Sequence, residues 1–277
     1  MRRWLAAGLV ALGAACAAPA PERGSPAQAR LGEAEARAAA LARSGDYASA
    51  ARFYGEALRI ATSLENADAI AANAINLSIV DQWLGRDAEA RAALAAVLDQ
   101  PRAAFSERRK TQAELRRAIL EAAGGSLGAA EIWALEAERR CATSCEYAAA
   151  ILNVRAQLAL DSGHAADAAR LASAALERAR GEAGRPEAAN ALRTLGRAHA
   201  AAGEAGRALE PLRQALEIDR ALGDPRKILA DLTELARAAD AAGDAPAARR
   251  YKERGLAVSR AISDGASAAE TEMLLRR

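Results

Sequence analysis

Aromatic residues are scarce in this chain. Three Trp, four Tyr and two Phe make up 3% of 277 residues, too few to furnish a large β-sandwich or barrel, which draw on aromatic and β-branched side chains. Only two histidines occur, His164 and His199, and neither has a cysteine or a second histidine at metal-ligand spacing. Eight prolines and 20 glycines exclude a collagenous or proline-rich chain. Neither sign of charge dominates. The 38 basic and 36 acidic residues leave a net charge of +2, so no global field points to nucleic acid or to an acidic membrane surface. There is no GxxxxGK[ST] phosphate loop, no HExxH zinc helix and no GxGxxG after a strand. Carboxylate pairs such as Glu136 and Glu138 fall among arginines on polar helix faces, as solvated ion pairs do. The chain is therefore expected to be no enzyme and to need no cofactor or metal.

What it has in excess is alanine, 82 of its residues. Alanine has the highest helix propensity and takes little space, so the composition predicts tightly packed helices. A charged fraction of 27% speaks against wholesale disorder. The length fits one or two globular domains or one extended repeat array. Self-similarity favours the array. Glycines recur at Gly45, Gly85, Gly125, Gly163, Gly203 and Gly243, at intervals of 40, 40, 38, 40 and 40 residues. Five residues after each stands an alanine: Ala50, Ala90, Ala130, Ala168, Ala208 and Ala248. Seven residues before each stands a small residue: Ala38, Ser78, Ala118, Ala156, Gly196 and Ala236.

Each column has a physical reason. The glycine can take the left-handed conformation that ends a helix. The small residues let two antiparallel helices approach closely. Apolar residues recur at helical spacing, as at Tyr54, Ala57, Leu58 and Ala61. Each unit reads as a helical hairpin with one face left to cover, and only stacking on the next unit covers it.

The residues GDYASAARFYGEAL at 45–58 and ALRTLGRAHAAAGEAGRALEPLRQAL at 191–216 resemble the tetratricopeptide repeat (TPR) family. The resemblance spans residues 31–264. The unit of 40 residues is longer than the commonest 34. The third unit is degenerate, with Ala134 at the aromatic position and Gly124-Gly125 doubling the turn, and Tyr251 comes one place early in the sixth. The resemblance implies an all-α fold: a right-handed α-solenoid of about six 40-residue hairpins, with 265–277 as a C-terminal capping helix. It also implies a protein-protein interaction scaffold.

The amino terminus reads as an address. Arg2 and Arg3 precede an apolar run ending at Cys16, shorter than the roughly 20 residues of a spanning helix but within the range of a signal peptide. Leu12-Gly13-Ala14-Ala15-Cys16 resembles a bacterial lipobox, with Gly13 where leucine is usual. It implies a signal peptide at 1–15, a lipidated Cys16, and attachment by lipid alone at the periplasmic face of the envelope. By resemblance to enterobacterial lipoproteins, Ala17 after the cysteine, where no Asp stands, implies the outer rather than the inner membrane. The other reading is an ordinary signal peptide cut near Ala18-Pro19-Ala20, giving a secreted or periplasmic protein. Loss of residues 1–15 leaves 36 basic against 36 acidic residues. Residues 16–29 form a lipidated cysteine and flexible tether, rich in Ala, Pro, Ser and Gly, and 30–277 form the repeat domain. Cys141 and Cys145 are a disulfide candidate, since an i,i+4 spacing on a helix brings Cα atoms to about 6 Å. Free thiols are the alternative.

In the TPR family the first helix of each unit lines a groove that holds a peptide or partner helix. Counted back from the turn glycines, the groove positions are Ile75, Ile79 and Trp83 in unit two, Gln112, Leu115 and Ile119 in unit three, and Asn153 and Gln157 in unit four. Units five and six contribute Asn190, Arg193, Arg197, Thr233 and Arg237. The amino half is apolar and the carboxy half is rich in amides and arginine. Arg193, Arg197 and Arg237 would form a local positive site for an acidic partner segment, unless Glu234 or Asp240 already neutralises them. A variant of the family clamps a terminal carboxylate. Asn76 and Arg116 match its pattern, but Glu35, Ala39 and Gln112 do not, which argues against that ligand. The leading expectation is a non-enzymatic scaffold for assembly of an outer-membrane, secretion or pilus complex. The alternative is an accessory factor for cell-wall or polysaccharide export that binds glycan or glycan-linked enzymes; an aromatic-rich groove would favour it.

Overall fold

The computed structural model describes residues 25–99, 105–141 and 145–265. Twelve α-helices and no strand occur among them, paired as six hairpins. These are α1 (Pro26–Arg43) with α2 (Tyr47–Ser63), α3 (Ala67–Trp83) with α4 (Asp87–Leu98), and α5 (Glu107–Ala123) with α6 (Leu127–Cys141). Then follow α7 (Ala148–Asp161) with α8 (Ala165–Arg178), α9 (Gly181–Ala201) with α10 (Ala205–Leu222), and α11 (Pro225–Ala241) with α12 (Ala245–Gly265). Cys16 with its signal sequence lies outside the described residues, as does 266–277 of the expected cap.

One turn closes every hairpin. The six recurring glycines all have positive φ, between 73° and 84°, which a side chain rarely tolerates. The residue after each glycine donates its N–H to the carbonyl five residues earlier, as Asp46 does to Leu41 (3.0 Å) and Arg86 to Asp81 (2.8 Å). These bonds satisfy carbonyls that a helix end would leave orphaned. The turn from α2 to α3 adopts the same geometry without glycine, at Glu65 with φ 51°. Helix starts are capped by side chains: Asp46 accepts from the Ser49 N–H (3.0 Å) and Asn66 from that of Ala69 (3.1 Å). Ser25 and Gln28 form a reciprocal capping box ahead of Pro26. Helix α1 therefore starts inside the 16–29 segment whose composition predicts a tether.

The small-residue columns sit where the helices of a hairpin meet. Ala38, Ser78, Ala118 and Ala156 are fully buried, and so are Ala50, Ala90, Ala130, Ala168 and Ala208. A Cβ on Gly196 would stand 2.5 Å from Leu212 Cγ and 3.0 Å from the Ala208 carbonyl oxygen, so α9 and α10 touch with no room for a methyl group. The core is a chain of small clusters rather than one globule. Ile75 of α3, Leu94 of α4 and Leu120 of α5 share one, and Leu212 of α10 with Leu235 of α11 share another. Each cluster needs its neighbour hairpin to be complete, which is the physics of a stacked array.

Candidate functional site on the face of the first helices

The first helices α3, α5, α7, α9 and α11 pack side by side in succession. The position ten residues before the turn glycine does not open to a groove. It turns into the stack. Ile75 packs against Ala90, Leu94 and Ala113, and Leu115 against Ala137, Cys141 and Ile151. Asn153 is buried, its Nδ2 donating to Glu187 Oε2 (2.7 Å) and to the Glu187 carbonyl (2.9 Å) on α9. Arg193 is half-buried between α9, α10 and α11, and only Thr233 is exposed. The family-based assignment of Ile75, Leu115, Asn153 and Arg193 to the groove is thus corrected. The rotation of each hairpin against the next turns this column toward its neighbour, where burial is greater.

The position six residues before the glycine does open. Ile79 is half-buried, Ile119 and Arg237 are exposed, and Gln157 and Arg197 are partly so. Three of these five, Ile119, Gln157 and Arg197, line one cleft of about 600 Å³ between the carboxy-terminal halves of α5, α7 and α9. Its apolar wall is Ile119, Val154 and Leu158, and Ala122 and Ala123 give it depth. Its polar rim is a linked set. Gln157 Nε2 donates to Asp161 Oδ1 (2.6 Å), and Gln157 Oε1 accepts from Arg197 Nη1 (2.6 Å). Val154 and Asp161 escaped the sequence reading. Asp161 stands two residues before its glycine, the column of Trp83, and that periodicity could have found it.

The three arginines are not a free positive site. Arg193 pairs with Asp219 and, at 2.6 Å, with Asp231. Arg197 lies 3.7 Å from Glu234 and 3.9 Å from Asp161, and Arg237 is 3.2 Å from Glu234. Stacking does bring Arg197 and Arg237 together, onto a shared carboxylate. Asp240 is engaged elsewhere, with Lys252. Burial raises Asp231 to about 6 despite Arg193, with Asp219 nearby adding to the rise. Burial also draws Lys227 down, helped by the Arg193 charge; its Nζ donates to Asn190 Oδ1 (2.9 Å). Asn190 therefore belongs to this junction, as Arg193 Nη1 also donates to its Oδ1 (3.1 Å).

The remaining positions are held within the array. Gln112 accepts from Arg109 Nη1 (3.0 Å), and Arg109 reaches across to Asp68 with two 2.7 Å bonds. Arg116, which matches the carboxylate-clamp pattern, is buried and donates to Ser78 Oγ (3.1 Å), the Ser78 carbonyl (3.0 Å) and Gln82 Oε1 (2.6 Å). Trp83 packs against Tyr47, their ring centroids 4.6 Å apart and their planes tilted by 52°. Cys141 and Cys145 are disulfide-bonded, with Cα atoms 5.4 Å apart, and tie the end of α6 to the start of α7.

His164 is exposed at the start of α8, and His199 Nδ1 lies 2.8 Å from Glu204 Oε2. No group of three His, Cys, Asp or Glu side chains among the described residues is placed to hold a metal. Gly124-Gly125-Ser126-Leu127-Gly128 does spell GxSxG. Its serine lies in the turn between α5 and α6, not on the strand-to-helix turn that exposes a hydrolase nucleophile.

No sequence profile of a known family and no curated protein sequence matches the chain. Solved structures do match in fold. The BtubC (BKLC) protein of P. vanneervenii superimposes with a TM-score of 0.59 at 20% identity, covering 86% of this chain and 93% of that one. The apo form of RapI matches with a TM-score of 0.61 at 14% identity over 84% of this chain and 66% of its own. A chain of the APC/C hetero-tetramer Cut9–Hcn1 matches with a TM-score of 0.64 at 15% identity, over 90% of this chain and 42% of its own. The TPR-like repeats of a Podosopora anserina kinesin light chain match with a TM-score of 0.52 at 22% identity, over 68% of this chain and 93% of theirs. The fold is thus a TPR-like all-α solenoid.

Proposed function

We propose that this protein is a non-enzymatic scaffold that holds a segment of a partner protein on the face of its first helices. The observation that carries the reading is the cleft between α5, α7 and α9. It is concave, with an apolar wall and one linked polar rim, the composition expected of a recognition site. Solved relatives in fold include a Rap protein complexed with Competence and Sporulation Factor.

The partner segment is read as apolar rather than acidic. Arg193, Arg197 and Arg237 already have carboxylate partners, and Ile119, Val154 and Leu158 offer an apolar side chain a place to bury. The cleft lining contains no aromatic side chain, so nothing in it favours a sugar. We place the scaffold in the bacterial envelope, attached through lipid on Cys16 and facing the periplasm. The disulfide at Cys141–Cys145 supports an oxidising compartment.

A photocrosslinking side chain at Ile119 tests the reading in cells of the native host, with the same probe at Ile132 on the outer side of α6 as the control. The expected result is a discrete adduct from position 119 that Val154→Asp abolishes, and none from 132. Equal or absent adducts at 119 would end it. The address is tested separately: Cys16→Ser should leave the membrane fraction, because lipid is its only anchor.

A further inference from the structure

The two ends of the array meet. Arg226, in the first turn of α11 in the last hairpin, donates from Nη2 to the hydroxyl of Tyr47 in the first hairpin at 2.6 Å. The two residues are 179 apart in sequence. The Arg226 guanidinium also lies 5.8 Å from the centre of the Tyr47 ring and 5.9 Å from that of Trp83. Units of a solenoid ordinarily touch only their neighbours, so a contact between first and last hairpins is a separate feature of this chain.

The parts are held ready for it. Tyr47 opens α2 directly after the Gly45 turn, and Trp83 closes α3, so both rings sit on rigid helix ends. On the other side, Asp224 caps α11 by accepting from the Arg226 and Lys227 N–H groups, both at 3.1 Å. Arg226 thus projects from a capped terminus. No helix of the first two hairpins packs along α11 or α12 among the described residues. Side-chain contacts of this kind interlock less surface than an interdigitated helix pair.

We infer that Arg226 is a releasable clasp: seated on the Tyr47–Trp83 pair, it draws the ends of the superhelix together and narrows access to the face of the first helices. Trp83, which sequence alone assigns to partner binding, is then occupied in cis. Movement of Arg226 off the rings opens the array without unfolding any hairpin. Closure by Arg226 does not depend on what occupies the α5–α7–α9 cleft, so failure of either idea leaves the other standing.

Small-angle X-ray scattering on the purified full chain tests the clasp, comparing wild type with Arg226→Ala and Arg226→Gln. The glutamine keeps a hydrogen-bond donor but loses the cation. Both variants should show a larger radius of gyration and a longer maximum dimension, Arg226→Ala the more so, with unchanged helical circular dichroism and thermal midpoint. Scattering profiles identical to wild type in both variants would overturn the clasp. Loss of helical signal would also overturn it, because Arg226 would then be part of the fold rather than a releasable contact.

Discussion

At the α3–α5 junction a buried guanidinium meets only neutral acceptors; at the α9–α11 junction a half-buried one meets two buried aspartates. Arg116 donates to Ser78 and Gln82, and burial lowers its pKa to about 10, so it stays charged near neutral pH. Arg193 bridges Asp219 and Asp231, both almost wholly inaccessible. Both arginines fasten one first helix to the next. The first does so by satisfying dipoles, the second by offsetting charges that could not otherwise be buried. One arginine does not fully stabilise two carboxylates, and Asp231 Oδ2 is left without a hydrogen-bond partner. A junction built from dipoles therefore tolerates changes of pH and sequence better than one built from an ion triad.

Removing the cation at each junction should separate the two designs. Arg193→Met leaves two buried carboxylates unpaired and should cost about 3–5 kcal/mol of unfolding free energy in urea titration. Adding Asp219→Asn and Asp231→Asn to it should restore most of that. Arg116→Met leaves only neutral acceptors unmet and should cost less, about 1–3 kcal/mol. Equal losses would erase the distinction.

The pH dependence of the ion triad should be next in size. Folding raises the Asp231 pKa to about 6 from an ordinary 3.8, so the folded protein holds this proton more tightly than the unfolded chain. Its contribution is complete below about pH 4 and lost as pH rises through 6. The stability of wild type relative to Asp231→Asn should therefore fall by about 1–3 kcal/mol between pH 4 and 7. A difference that stays constant with pH, or grows, would refute this assignment.

The α1–α3 junction supplies a lighter reference. There Glu35 Oε1 accepts from Asn73 Nδ2 at 2.7 Å, and the same nitrogen also reaches the Ala69 carbonyl (2.8 Å). With a second acceptor in place, Glu35→Ala should cost only about 0.5–1.5 kcal/mol. A loss as large as that of Arg193→Met would mean that junction chemistry does not set junction strength.

Much of this architecture was legible in the sequence, and the groove was not. Gly45 through Gly243 mark every hairpin turn, because a left-handed residue that ends a helix is a local requirement visible in one position. Gly196 announced a close approach for the same reason, and its missing methyl group is explained by Leu212 and Ala208. Ile75 and Leu115 read as groove residues only because the family pattern places them there. Their burial depends on how far each hairpin rotates against the next, which no spacing states. The arginine cluster misled in a similar way. A guanidinium counts as unpaired until residues 26 to 38 positions away, Asp219 and Asp231, are brought beside it.

The sequence by itself determined the unit: the helix pair, its turn, its length and its small-residue seam. Each of these follows from propensity, capping and helical period acting within about 40 residues. Tertiary structure alone decided which polar residues of the first helices face solvent, which of them fasten neighbouring hairpins, and that Arg226 reaches Tyr47. Those outcomes rest on small rotations accumulated from hairpin to hairpin and on charges paired across them. Such terms act between units and leave no periodic mark within any one of them.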